Sequence, residues 1–273
     1  MANTVFDNLN GKKLIFGLVH LLPMPGTPLY QEGNIEKMTA KAIADCKALK
    51  NAGADGGLIQ SVDVYYPLTD DTDYARVATI SMIAGRVREE VGDDFKIGIQ
   101  LMINCITPSL AACKATNADF TRCTALAVSA DNPMGHVEAD PLKVAEYRNK
   151  IHAQNVGMIS EISGYHVTGE YNKKKIQSAA STSMRLGANA IEIMHKDFEM
   201  NERLIKDVKE MGDIPVILGG GTTVENCKER LRYADGALVG TAFEGGKWGG
   251  PIIESIVADY VKNVRELERE MGV

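Results

Sequence analysis

Short apolar runs along this chain alternate with longer stretches in which apolar residues return every three or four positions. The runs predict strands at Leu14 to Val19, Gly57 to Ser61, Lys96 to Met102, Phe120 to Ala127, Val156 to Ile162, Ala190 to Met194, Pro215 to Leu218 and Ala237 to Val239. Helices are predicted between them at Ile35 to Asn51, Tyr74 to Val91, Ser109 to Thr116, Pro141 to Gln154, Lys173 to Leu186, Met200 to Met211 and Val224 to Arg232, with Glu254 to Arg269 closing the series. In the first helix Ala42, Cys46, Leu49 and Ala52 form the stripe of an amphipathic helix packed on a sheet. Strand and helix in strict alternation indicate a parallel sheet with crossover helices, and eight repeats predict closure into a (β/α)8 TIM barrel. An open doubly wound sheet is the alternative. Gly-Ala-Asp and related turns recur before strands, at 53–55, 117–119, 187–189 and 234–236, where glycine or asparagine supplies left-handed backbone.

Composition narrows the class without naming the chemistry. With 273 residues, 45% hydrophobic and 24% charged, and no low-complexity linker, residues 1–273 read as a single barrel domain. A net charge of -6 argues against nucleic acid or an anionic membrane as the main partner and leaves room for small anions. The polar start and the absence of a membrane-length apolar run lead us to expect a cytoplasmic protein without membrane insertion. Five scattered cysteines, none in a CxxC pair, read as reduced thiols, with Cys105 and Cys123 close to the predicted strands. A homo-oligomer is expected on general grounds, although no helix face marks an interface.

Barrel chemistry gathers at the carboxyl ends of strands. The seventh predicted strand runs into Gly219-Gly220-Gly221-Thr222-Thr223, whose glycines let backbone N–H groups approach an anion and whose threonines are expected to cap the next helix. The eighth leads into Gly240-Thr241, and the two turns together predict one phosphate site. His20 ends the first strand as an acid, base or ligand candidate. Gln60 and Asp63 follow the second strand, Gln60 as a hydrogen-bonding group and Asp63 as the catalytic candidate. Gln100 and Asn104 follow the third, and Asp70 to Asp73 read as a helix start. Arg122, Glu161 and Glu192 interrupt apolar strands, and His195 ends the sixth. Burial is expected to raise the Glu161 pKa and make it a general base, the alternative being a structural ion pair with Arg122. No cofactor motif is present. A divalent metal gathered by His20, Asp63, Glu161 and His195 is a second option, since such ligands leave no local spacing to read. Glycines at both ends of 163–170 suit a lid.

Gly17-Leu-Val-His-Leu-Leu-Pro-Met-Pro-Gly26, Gly219-Gly-Gly-Thr-Thr-Val-Glu-Asn226 and Ala234-Asp-Gly-Ala-Leu-Val-Gly-Thr241 resemble the BtpA/SgcQ family. The resemblance implies a phosphate-binding (β/α)8 barrel, with one branch linked to photosystem I biogenesis and another set among sugar-utilisation functions. Where relatives tend to carry Glu-Asn after the second strand, this chain has Gln60-Ser61. The expected function is an enzyme acting on a phosphorylated sugar or nucleoside-like metabolite by acid/base chemistry, as isomerase, lyase or glycosidic hydrolase. The alternative is a non-enzymatic assembly or regulatory factor of the photosystem-biogenesis type.

Overall fold

The computed structural model describes residues 4–63, 66–132, 134–167 and 169–273. Its elements follow in the order β1 (Leu14–His20), α1 (Asn34–Asn51), β2 (Gly56–Gln60), α2 (Tyr74–Val91), β3 (Lys96–Gln100), α3 (Ile106–Thr116), β4 (Phe120–Cys123), β5 (Ala130–Asn132), β6 (Gly135–Val137), α4 (Pro141–Lys150), β7 (Gly157–Ser163), α5 (Lys173–Arg185), β8 (Ala190–Ile193), α6 (Phe198–Lys209), β9 (Val216–Leu218), α7 (Cys227–Arg230), β10 (Gly236–Val239) and α8 (Glu254–Glu270). Eight strands close into a parallel barrel in the order β1, β2, β3, β4, β7, β8, β9, β10. Closure runs from Leu14 beside Gly236 to Gly17 beside Val239, which excludes the open sheet. All eight predicted strands are barrel strands. The antiparallel hairpin β5–β6 was not predicted: its strands are three residues each, too short to show an alternation.

Alternation along each strand sorts the core into two compartments. Ile15 and Val19 of β1 face the helices, while Leu14 and Phe16 join Leu58, Phe120, Ile159, Ala190, Ile217 and Leu238 inside the barrel. Phe6 closes the amino-terminal end of this interior, edge-on to Phe16 and Phe120 with centroids at 6.3 and 5.9 Å. Two residues beyond Leu58, Phe120, Ile159 and Ala190 come Gln60, Arg122, Glu161 and Glu192, all buried. The period-two repeat therefore sets a polar layer on an apolar floor, at the end of the barrel where ligands bind.

The recurrent Ala-Asp turns have a second use besides reversing the chain. Asp55, Asp119, Asn189 and Asp235 each precede an incoming strand and accept the N–H of a residue at the start of the strand before it: Ile15 at 2.9 Å, Ile97 at 2.9 Å, Met158 at 3.0 Å and Val216 at 2.7 Å. Left-handed backbone occurs at Gly53, Asn117 and Gly187 as expected, but the fourth turn manages without it. No helix among the described residues is long and apolar enough to cross a membrane.

Candidate active site

A cavity of about 660 Å³ opens at the carboxyl mouth of the barrel. One arc of its wall is the pair of glycine loops after β9 and β10. Gly220 and Gly221 adopt φ of 138° and 74°, backbone that glycine takes without strain. The N–H groups of Gly220, Gly221 and Thr222, and of Thr241 and Ala242 on the neighbouring loop, donate to no protein acceptor among the described residues. All five residues line the cavity. The donors are thus poised for an anion without a helix terminus, because α7 is four residues long and begins later than predicted. Neither threonine caps it. Thr222 instead receives the Tyr260 hydroxyl at 3.0 Å, and the Thr223 N–H goes to Asn226 Oδ1 at 2.7 Å.

His20 borders this arc: a Cβ added to Gly240 would lie 3.3 Å from His20 Cε1. Its Nδ1 is 2.8 Å from Glu244 Oε1, and Glu244 is itself fully enclosed. An Nδ1–H donated to that carboxylate leaves Nε2 as the free ring nitrogen on the cavity side. Glu244 Oε2 accepts the Gly249 N–H at 3.2 Å, which ties the loop carrying Trp248 to the same carboxylate. The indole stands 5.7 Å from the imidazole, centroid to centroid. Next to His20 on β2, Gln60 contacts the Met102 sulfur through Nε2, while its buried Oε1 has no partner among the described residues.

Beneath the cavity the polar layer is an ionic cluster. Arg122 donates to Glu192 through Nε at 2.6 Å and Nη2 at 2.5 Å, and reaches Glu161 at 3.3 Å. Glu161 also accepts the backbone N–H and Nδ1 of His166, both at 2.9 Å, which holds Tyr165 and His166 at the cavity wall. Thr168 of the predicted 163–170 lid lies outside the described residues. Burial pushes the Glu161 carboxyl up, but the Arg122 charge and the His166 hydrogen bonds outweigh it and hold the pKa well below the usual carboxylate range. The expectation of a raised pKa at Glu161 is therefore corrected, and with it the ground for taking this carboxyl as a general base. Glu192 moves the other way, raised by its burial and by the neighbouring Glu161 charge despite its closer contact with Arg122. One guanidinium stabilises one carboxylate fully, and the second carboxyl takes up a proton more readily than usual. The expected Arg122–Glu161 pair exists, but Glu192 holds the guanidinium more closely.

Several predicted site residues stand elsewhere. Asp63 accepts Arg76 Nη2 at 2.5 Å and the Met24 N–H at 3.0 Å, so it ties the loops after β1 and β2 to α2 and does not line the cavity. Asn104 likewise ties loops, accepting the Ala125 N–H at 3.0 Å. Gln100 is buried in the polar layer below the cavity, its amide unpartnered. His195 faces a separate cavity of about 870 Å³ lined by β7, α5 and α6 residues, which His20, Asp63 and Glu161 do not line. His20, Asp63, Glu161 and His195 thus do not converge on a metal, and no group of three or more metal-binding side chains occurs among the described residues. Asp73 does start a helix, accepting the Ala75 N–H at 2.7 Å at the N-cap of α2. Cys105 and Cys123 are buried and unpaired, and burial raises both thiols, Cys123 to about 12.

Sequence reading missed Glu244, Trp248, Tyr165 and His166 as site residues. The first two follow Thr241 within the loop after the last strand, and a carboxylate so close to a phosphate turn was the available signal. Tyr165 and His166 lay inside the predicted lid without a role.

Comparison with known proteins agrees with this architecture. The model of the BtpA family matches residues 11–270. An uncharacterised protein of Pyrococcus abyssi is 30% identical over 263 residues, covering 95% of this chain and 99% of its own. Among solved structures, tryptophan synthase of Mycobacterium tuberculosis superposes with a TM-score of 0.63 at 14% identity, covering 97% of this chain and 99% of that one. N-(5'-phosphoribosyl)anthranilate isomerase from Pyrococcus furiosus gives 0.56 at 13% identity, covering 93% and 99%. At such identities the likeness concerns the fold.

Proposed function

This chain belongs to the BtpA family, and from that premise and the chemistry of the barrel mouth we propose that it is an enzyme that holds a phosphorylated small metabolite and moves a proton on it with His20. The observation that carries the reading is the meeting, in one cavity, of five backbone N–H groups without acceptors and an imidazole oriented by a buried carboxylate. A phosphate on the loops after β9 and β10 fixes the substrate close to the imidazole, and fixed geometry of this kind lowers the entropic part of the barrier. A resemblance in fold to an enzyme named for a 5'-phosphoribosyl substrate supports the same reading.

The roles follow from the contacts. Glu244 keeps the Nδ1 proton on His20 and stabilises the imidazolium after Nε2 takes a proton from the substrate. Gln60, beside His20 in the cavity wall, offers its amide to a substrate hydroxyl or amine once it turns from the Met102 sulfur. Arg122 lines the cavity while held by two carboxylates, so its charge is already balanced and it acts as a fixed polar floor rather than a mobile clamp. Isomerisation, elimination and glycosidic cleavage all use a proton relay of this form next to an anchored anion.

Thermal unfolding with inorganic phosphate and ribose 5-phosphate, for the wild type and a Gly221→Asp variant, tests the anion site. Gly221 suits the probe because aspartate tolerates left-handed backbone and the added Cβ meets only the end of the Arg230 side chain, at 3.6 Å or more. The expected result is a midpoint that rises with ligand in the wild type and not in the folded variant. No rise with either ligand at millimolar concentration would remove the basis of the reading.

A further inference from the structure

The phosphate arc accounts for only part of the cavity. Across from it the wall consists of Val62, Tyr66, Met102 and Met134, and two aromatic side chains overhang the opening. Trp248 is 58% exposed and Tyr165 is 50% exposed, although both line the cavity. Large aromatic groups are kept at a cavity mouth when a ligand covers them, since leaving them in water forfeits their burial. Tyr165 lies directly against the phosphate arc, within 3.2 Å of where a Gly220 Cβ would stand. Trp248 sits on a loop bracketed by Gly245, Gly246 and Gly249, all at positive φ, and is tied through Gly249 to the carboxylate that orients His20. A volume of about 660 Å³ also exceeds what a bare sugar phosphate fills and falls within the range of sites for larger ligands.

From these observations we infer that the substrate is a phosphorylated compound that carries a planar heteroaromatic ring, of the size of a nucleoside monophosphate, and that the ring stacks on Trp248 at the mouth. This rests on the anion site proposed above. The phosphate lies on the loops after β9 and β10, the sugar or linker passes His20, and the ring is received by indole, phenol and methionine side chains. Such a wall reads a ring through its face, so purine and pyrimidine are both accepted, with a modest preference for the larger surface. Stacking also positions the loop whose Gly249 N–H binds Glu244 Oε2, so ring recognition and imidazole orientation share one carboxylate.

Trp248 is the single tryptophan of the chain, so its fluorescence reports the mouth alone. The experiment titrates the full-length wild type and Trp248→Ala with AMP, UMP, ribose 5-phosphate and adenosine, reading affinity by calorimetry and, for the wild type, quenching. Because Trp248 is largely exposed, the variant is expected to keep its thermal midpoint without ligand. AMP and UMP should quench and bind about tenfold or more tighter than ribose 5-phosphate, and Trp248→Ala should erase that advantage while changing ribose 5-phosphate by less than about twofold. Equal binding of AMP, UMP and ribose 5-phosphate overturns the ring and leaves the anion site standing. Adenosine binding as tightly as AMP, with loss in Trp248→Ala, removes the anion site and keeps the ring. Absence of binding by all four overturns both.

Discussion

His20 and Glu244 are joined side chain to side chain across 224 residues of sequence, Nδ1 to Oε1 at 2.8 Å, both nearly or fully buried. β1 delivers the imidazole and the loop after β10 delivers the carboxylate, and β1 and β10 are neighbours only because the barrel closes. The pair is thus a product of closure. Its geometry fixes the ring plane and leaves Nε2 to the cavity.

The first expectation concerns this pair. With a turnover assay in hand, His20→Ala should lower kcat by about 10²- to 10⁴-fold, the usual contribution of a positioned acid/base group. Glu244→Gln preserves shape but loses the charge, and should lower kcat and kcat/KM together with little change in KM, as for a group that acts mainly in the transition state. Steady-state kinetics decide. A His20→Ala variant with full kcat and raised KM would assign the imidazole to binding.

The second concerns the two carboxyls on Arg122. Glu161 has a lowered pKa when folded, so its contribution to stability is present above its ordinary value of 4.5 and is lost as pH falls towards its folded value. Glu192 has a raised pKa, so its contribution is full below 4.5 and declines as pH rises through its folded value. The penalty of Glu161→Gln should therefore shrink as pH is lowered from 4.5 to about 3, while that of Glu192→Gln should shrink as pH rises above 4.5. Urea unfolding across this range checks the opposite slopes, and parallel slopes would mean that the proton does not divide the two carboxyls in this way.

The barrel, its eight strands and the glycine turns after the last two were legible because alternation and glycine placement are local signals. Which polar residues share a cavity was legible only in part. His20, Gln60 and Arg122 occupy inward positions of their strands, and the strand register brings them to one cavity. Asp63 lies past the end of β2, where the chain has left the alternating pattern, and a distant Arg76 claims it. His195 likewise lies past the end of β8, beyond the alternating pattern, and lines a separate cavity. The Glu161 pKa required knowledge of Arg122 and His166 together, and only folding brings those two into contact with it.

The third expectation joins the phosphate loop to the ionic floor. A Cβ added to Gly219 would lie 2.0 Å from Glu192 Oε1, closer than any side chain tolerates. Gly219 is thus glycine because the Glu192 carboxylate, held by Arg122 at 2.5 Å, fills the space its side chain would need. Gly219→Ala must move either the loop or a carboxylate fixed at two points, and overpacking of this kind costs about 1–3 kcal/mol. Glu192→Asp withdraws the carboxylate by one methylene and should itself destabilise by loosening the Arg122 contact. Combined, the two substitutions should cost less than the sum of the singles by about 0.5–3 kcal/mol, since the shorter side chain gives the new methyl its room. Urea unfolding of the four proteins measures the coupling. Strict additivity would show that Gly219 is set by its backbone alone, and the phosphate loop and the ionic layer would then be mechanically independent.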